Sequence, residues 1–264
     1  MISIVTGEKR YFHLFFWLIS SLFTLNVICM IYSPYAERSW GRRSPPNLPA
    51  WLRKVSYTVE SRKLLLDTEV IMRNIVVSEF VSLDNVMQAP GGAEEDTEGG
   101  FTHGGWTWPF WHDDIGAHFF QAMSQSDALL LGRKTWQIHG GAFEPMPAGD
   151  PFGDVMNTMP KYVVSTTLTT ASAWRNSTLI SSNVVEEVRT LKAQPGKNIV
   201  IDGSSVLVHT LAEHDLIDEY SLLVYPVVLG SGKKLFPEGL RVNLRLIESR
   251  PFPSGVVLMR YARA

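Results

Sequence analysis

The chain has 264 residues, room for one large domain or two small ones. A hydrophobic share of 45% beside 19% charged residues describes a folded body that carries something extra and apolar. The net charge of −2 gives no field favouring nucleic acid, the single Cys29 excludes a disulfide framework or multi-cysteine metal site, and the seven histidines show no HxxxH spacing.

Tyr11 to Tyr32 reads YFHLFFWLISSLFTLNVICMIY and holds no formally charged residue. At about 1.5 Å per residue it is long enough to cross a bilayer core of about 30 Å. His13 and Asn26 interrupt it, and its length and the lack of an A-x-A site argue against a cleaved signal peptide. Arg38, Arg42, Arg43, Arg53 and Lys54 follow the run, while Lys9 and Arg10 before it are offset by Glu8. That bias leans toward a cytoplasmic C-terminal body. Residues 33–71 read as a linker rich in proline, arginine and serine, with a short helix expected near Val59–Val70. Two accounts stand side by side. In one, residues 11–32 are a membrane anchor. In the other, residues 1–71 are an upstream extension of the reading frame that the folded domain does not need.

At Met72 the pattern changes to that of an ordinary cytosolic domain. Strand-like runs recur at Ile75–Val81, Ala128–Leu131, Tyr162–Ser165, Ile199–Ile201, Tyr220–Val228, Val242–Ser249 and Val256–Tyr261. Helical patterns fall at Asp114–Gln125, Asn183–Lys192 and Ser205–His214. Strands alternating with helices predict an α/β domain over 72–264. The expected sheet is mixed and mostly parallel, of about eight strands, with an antiparallel C-terminal edge.

Three strand ends carry the chemistry. Leu129–Leu131 runs into Gly132-Arg133-Lys134-Thr135, where glycine permits close backbone approach and arginine offers a fork for phosphate. Tyr162–Val164 ends in Ser165-Thr166, residues that are also common turn formers. Ile199–Ile201 ends in Asp202-Gly203-Ser204-Ser205 and enters a helix at Val206, a strand-to-helix turn that gathers free N–H groups for an anion. In open α/β sheets ligands sit beyond the carboxyl ends of the strands.

Other segments have two readings each. Asp84, in the 81–87 loop, either touches substrate or fixes a turn. Trp106, Trp108 and Trp111 lie among flexible glycines, either as a lid that stacks on a flat ring or as a satellite hydrophobic cluster. Glu94-Glu95-Asp96 reads as a solvated acidic stretch. His112-Asp113-Asp114 invites a metal, but adjacent residues rarely face one site, and a helix cap made by an aspartate is the plainer reading. No metal is expected.

Together, Ser82-Leu83-Asp84, LLLGRKTW at 129–136, YVVSTTL at 162–168, IDGSSVLVHTL at 201–211 and LIDEYSLLVYPVVLGSGKKLF at 216–236 resemble the dihydrofolate-reductase-like family. The similar branch is the reductase, C-terminal domain of the bifunctional riboflavin-biosynthesis deaminase-reductase. No deaminase zinc signature accompanies it. The resemblance implies a three-layer fold and NADPH as cofactor. It implies that Gly132, Arg133 and Thr135 meet the adenosine phosphates, that Ser165 and Thr166 flank the adenosine side, and that Gly203, Ser204, Ser205 and Val206 cradle the pyrophosphate through backbone N–H groups. The 81–87 loop would border the nicotinamide. Dihydrofolate reductases carry a carboxylate on the helix before the GRxT strand, which makes Asp114, close by but out of register, a candidate proton donor.

Two departures stand out: Asp202 where the family often has glycine, and Asn85 for another glycine. The implied activity is reduction of the ribosylamino-pyrimidine of riboflavin biosynthesis. The alternatives are a dihydrofolate reductase or a non-catalytic, membrane-tethered nucleotide-binding protein, the latter favoured by a carboxylate at Asp202. The expected partners are a small-molecule substrate and a second copy in a homodimer, with no nucleic acid and a membrane only through residues 11–32.

Overall fold

A computed structural model describes residues 72–264. The expected anchor at 11–32, the linker at 33–71 and the helix near Val59–Val70 lie outside the described residues. β1 (Ile75–Ser82) runs through the middle of an eight-stranded sheet. After it come two short 3-10 turns, then α1 (Asp113–Ser124), β2 (Ser126–Gly132), α2 (Arg133–Phe143), α3 (Pro151–Thr158), β3 (Lys161–Val164) and β4 (Ser177–Ile180). α4 (Val184–Lys192), β5 (Asn198–Ile201), α5 (Ser205–Glu213), β6 (Glu219–Tyr225), β7 (Leu244–Pro251) and β8 (Val257–Arg263) complete the chain.

The spatial order is β4-β3-β2-β5-β1-β6-β8-β7. All neighbours are parallel from β4 to β6, while β6–β8 and β8–β7 are antiparallel. This is the mixed sheet with an antiparallel C-terminal edge that the pattern predicts. Alternation assigns the faces. Ile75, Val77, Leu130, Ile199 and Ile201 pack against Val188 and Leu191 of α4 and Leu207, Val208 and Leu211 of α5. Leu129, Leu131, Val163 and Val200 point to the other face and meet Met123, Trp136 and Met156 of α1, α2 and α3. Helices on both faces make three layers. A further cluster joins Trp106 and Ile115 to Leu223, Tyr225 and Leu258.

The differences from expectation have local causes. β4 carries little apolar signal because it is an edge strand in which only Ile180 is buried. α3 was not expected, yet its start is written in Asp150-Pro151: Asp150 Oδ1 accepts from Gly153 N at 2.8 Å, and proline occupies the first helical position. β6 stops at Tyr225 rather than Val228, just before Pro226, which has no N–H to give a ladder. α1 is capped by His112, whose Nδ1 accepts from Asp114 N at 3.2 Å, so the cap is not an aspartate. Among the described residues no helix is long and apolar enough to cross a membrane, and no His/Cys/Asp/Glu group is arranged to hold a metal ion.

Lys161 is fully buried at the start of β3. Its ammonium donates to Met156 O and Met159 O, both at 2.7 Å, closing the C-terminal end of α3. Burial pulls its pKa down to about 8. Lys161→Met removes the donor from those buried carbonyls and is expected to cost about 2–3 kcal/mol, read by urea denaturation.

Candidate active site

β3, β2, β5 and β1 are consecutive neighbours and parallel, so their carboxyl ends lie side by side. There the chain leaves a cleft of about 720 Å³, lined by Gly132, Arg133, Thr135, Ser165, Thr166, Gly203, Ser204, Ser205 and Val206. The structure thus brings every expected cofactor-contacting residue to one cavity, although they span 75 positions from Gly132 to Val206.

Gly203 (φ +78°) and Ser204 (φ +71°) turn β5 into α5 through the left-handed region. A Cβ on Gly203 would stand 2.7 Å from Thr135 Cγ2, so glycine is required there twice over. Ser204 Oγ accepts from Gly132 N at 2.7 Å and donates to Thr135 Oγ1 at 2.9 Å, locking the end of β2 to the start of α5. The first bond within α5 runs from Val208 N to Ser204 O at 3.0 Å. The N–H groups of Ser205, Val206 and Leu207 therefore start the helix without a helical acceptor, at its positive end. Arg133 begins α2, and among the described residues its guanidinium donates only to Gln137 Oε1, at 3.2 Å. Ser165 Oγ accepts from Thr167 N and Leu168 N at 3.2 and 3.1 Å, so its hydroxyl shapes the turn as well as lining the cavity.

Asp202 does not stand as a bare carboxylate. Its Oδ2 lies 3.0 Å from His139 Nε2 of α2. Burial disfavours a charged His139, but the hydrogen bond and charge of Asp202, with Glu95 behind it, raise its pKa above the ordinary value. The pair stabilises the fold fully below about pH 6.5, and that contribution fades as pH rises through the elevated pKa.

Beside this pair sits Glu79 of β1, only 5% exposed. Val77 pairs with Ile201, so Glu79, two residues on, reaches the Asp202-Gly203 turn just past the end of β5. Burial first, then the charges of Asp202 and Glu95, push its carboxyl well above the usual range, against a hydrogen bond from the Gly203 backbone. Glu79, Glu95 and His139 were absent from the sequence-based candidates. Two signals could have found them. Glu79 breaks the apolar alternation Ile75, Val77, Val81. His139 sits on the apolar helix face of Trp136 and Phe143.

The remaining candidates fall elsewhere. Asp84 is a turn fixture outside the cavity lining. Its Oδ1 accepts from Ser82 Oγ (2.6 Å) and Leu229 N (3.1 Å), and its Oδ2 from Gly230 N (2.7 Å). Slight burial opposes its charge, yet these donors lower its pKa to about 2. Trp106 is buried, donating its indole N–H to Gln88 O at 2.8 Å. Trp108 is largely exposed and donates to Gly91 O at 2.6 Å. Of the three tryptophans only Trp111 lines the cleft. Asp114 is exposed on the first turn of α1, 3.4 Å from His112 Nδ1 and away from the cleft. The 94–96 stretch is not merely solvated: Glu95 Oε2 accepts from Gly91 N and Gly92 N at 2.6 and 3.0 Å, and Asp96 is bound by Lys233 at 2.5 Å. Lys134 and Lys233 both reach Glu98 Oε2, each at 2.5 Å, fastening this segment across the rim.

The model for the RibD C-terminal domain matches residues 73–258. The chain belongs to the RibD C-terminal domain family. Within curated proteins, it is 31% identical over 193 residues to the uncharacterized protein YyaP of Bacillus subtilis (strain 168), covering 72% of this chain and 94% of YyaP. YwjB of the same organism, also uncharacterized, is 33% identical over 148 residues, 55% of this chain and 77% of its own. Among solved structures, a protein of Shewanella sp. PV-4 assigned provisionally to riboflavin biosynthesis aligns at TM-score 0.52 and 22% identity, over 73% of this chain and 99% of that one. A pyrimidine reductase-like protein of Corynebacterium diphtheriae aligns at TM-score 0.50 and 11% identity, over 73% and 92%. At such identities the likeness shows the fold alone, the three-layer arrangement around a mixed, mostly parallel sheet described above. Membership in the RibD C-terminal domain family supports an oxidoreductase of the riboflavin-reductase type.

Proposed function

We propose that this chain is an NADPH-dependent reductase that passes hydride to a small heterocyclic or carbonyl/imine substrate. Its nearest functional likeness would be reduction of 5-amino-6-(5-phosphoribosylamino)uracil. The carrying observation is the convergence of Gly132, Ser165 and Gly203, three neighbouring strand ends, on one cleft beside the N-termini of α2 and α5. The donor set fits the phosphates of NADPH: N–H groups at Ser205–Leu207, without a backbone acceptor among the described residues, face a pyrophosphate, and the guanidinium of Arg133, held by Gln137 alone among those residues, is left for the extra phosphate. NADPH, when bound, would supply the hydride.

The chain's own groups do the rest. Ser204 fixes the two strand ends in place, and Arg133 reads phosphate charge. His139 engages Asp202, the carboxylate that favoured a non-catalytic reading, and, when protonated, offsets its repulsion of an anion. Asp114 lies outside the cleft, which removes the carboxylate that a dihydrofolate reductase would place on α1.

Titration of NADPH fluorescence with the full chain tests the binding half, and NADPH consumption with dihydrofolate, aminopyrimidine and small carbonyl substrates tests the catalytic half. Arg133→Ala is expected to weaken NADPH about tenfold or more while leaving NADH within about threefold, since the guanidinium acts on the extra phosphate. Equal losses for the two cofactors would contradict that role.

A further inference from the structure

We propose that Glu79 is a catalytic acid of this cleft, delivering a proton to the carbonyl oxygen or imine nitrogen of the group being reduced. The inference rests on the reductase reading above. It stands on placement. Glu79 occupies a core position of β1, on the face shared by Val77 and Val81, and is 5% exposed while lining the cleft. Among the described residues its Oε1 has no hydrogen-bond partner.

Among the described residues no cation pairs with it directly. The groups facing it are Asp202 at the end of β5 and Glu95 of the rim segment, with His139 of α2 already engaged by Asp202. Burial, like charge and an empty lone pair all disfavour a carboxylate in such surroundings, and they outweigh the opposing hydrogen bond from the Gly203 backbone. The same direction appears in its elevated pKa, which keeps the proton on the acid as pH passes the usual carboxylate range. A buried acid with an unused oxygen adds nothing to packing that leucine would not add better, so its placement is explained by chemistry in the cavity.

The step balances. The reducible carbon gains hydride from a dihydronicotinamide, which is oxidised to nicotinamide. The π pair of C=O or C=N moves to the heteroatom. The O–H bond of Glu79 breaks and a new O–H or N–H bond forms in the product. Glu79 is left as carboxylate and regains its proton from solvent. The substrate class follows: a polarised double bond whose heteroatom needs a proton, not an isolated alkene.

Glu79 also marks stability. Because its folded-state pKa is raised, the protonated acid stabilises the fold fully below about pH 4.5. That contribution is lost as pH rises through the raised value, so wild type should lose stability relative to Glu79→Gln toward alkaline pH.

The experiment compares wild-type full chain with Glu79→Gln. Infrared difference spectra of the cofactor-free proteins at pH 7 should show a carboxylic-acid carbonyl band in wild type that the variant lacks. An ionised Glu79 at that pH overturns the proposal. In fluorescence titrations NADPH should bind both proteins within about threefold. Turnover of NADPH with the same substrate panel should fall by about 10² or more in the variant, with the alkaline limb of the wild-type pH profile lost. Turnover within about threefold, or an unchanged alkaline limb, overturns it. A lower melting temperature for the variant at alkaline pH would assign Glu79 a structural role instead. Wild type that shows the acid band but neither binds nor consumes NADPH contradicts the reductase reading itself, and the catalytic assignment falls with it. Should the variant fail to fold, the band and the pH profile of wild type decide alone.

Discussion

Gly203→Ala is expected to abolish productive NADPH binding and to destabilise the fold by about 2–4 kcal/mol. Two costs combine. An alanine at φ +78° leaves the conformations that L-residues prefer, at about 1–2 kcal/mol. Its Cβ would also meet Thr135 Cγ2 at 2.7 Å and Oγ1 at 2.9 Å, both on the side chain that Ser204 holds in place. Relief requires α2 and α5 to separate, which spreads the N–H groups that face the cleft. Gly230 supplies the control. It has the same φ of +78°, but a Cβ there meets nothing within 4 Å. Gly230→Ala should therefore carry the conformational cost alone and leave NADPH affinity within about twofold. Chemical denaturation and fluorescence titration of both variants separate strain from contact. Equal behaviour of the two would show that the approach of Gly203 to Thr135 is unimportant.

Trp174→Ala is expected to cost about 3–5 kcal/mol, the largest single effect outside the cleft. Trp174 is 1% exposed and donates its indole N–H to Asn157 Oδ1 at 2.7 Å. Its ring stacks on Phe143 at 6.2 Å and lies 4.5 Å from the Lys161 ammonium. It also packs against Gly140, where an added Cβ would come within 3.2 Å, and meets the edge of His139 at 6.5 Å. The residue thus seats α2 on the sheet and supports the imidazole that pairs with Asp202. Trp174→Phe keeps an aromatic ring while losing the indole donor, and should lose about half as much. Urea denaturation measures both. A loss under about 1 kcal/mol for the alanine variant would contradict this account of the core.

The parts legible in the sequence were those written locally. The apolar runs of β1, β2 and β5 and the amphipathic α4 and α5 repeat at their own periods, so their order announced an α/β sheet. Gly132 and Gly203 were visible because a strand-to-helix turn near an anion needs backbone without a side chain. What stayed hidden depends on partners far apart in the chain. Asp202 looked like a flaw until His139, 63 positions away, was found against it. Glu79 was read as part of an ordinary strand, since nothing in its neighbours shows that β5 ends beside it. The tryptophans of 106–111 suggested a stacking lid, but two of the three indole N–H groups are spent on the backbone carbonyls of Gln88 and Gly91, well upstream in the chain. The exposed edge strand β4 had too few buried residues to show a period.

The central claim is that the strand ends at Gly132, Ser165 and Gly203 form a cleft for a phosphorylated dihydronicotinamide. Fluorescence titration of the full chain with NADPH, repeated with Arg133→Ala, tests it most directly. The account predicts saturable binding, competition by NADP+, preference over NADH, and loss of that preference in the variant. Absence of saturable NADPH binding by the folded wild-type protein would contradict it.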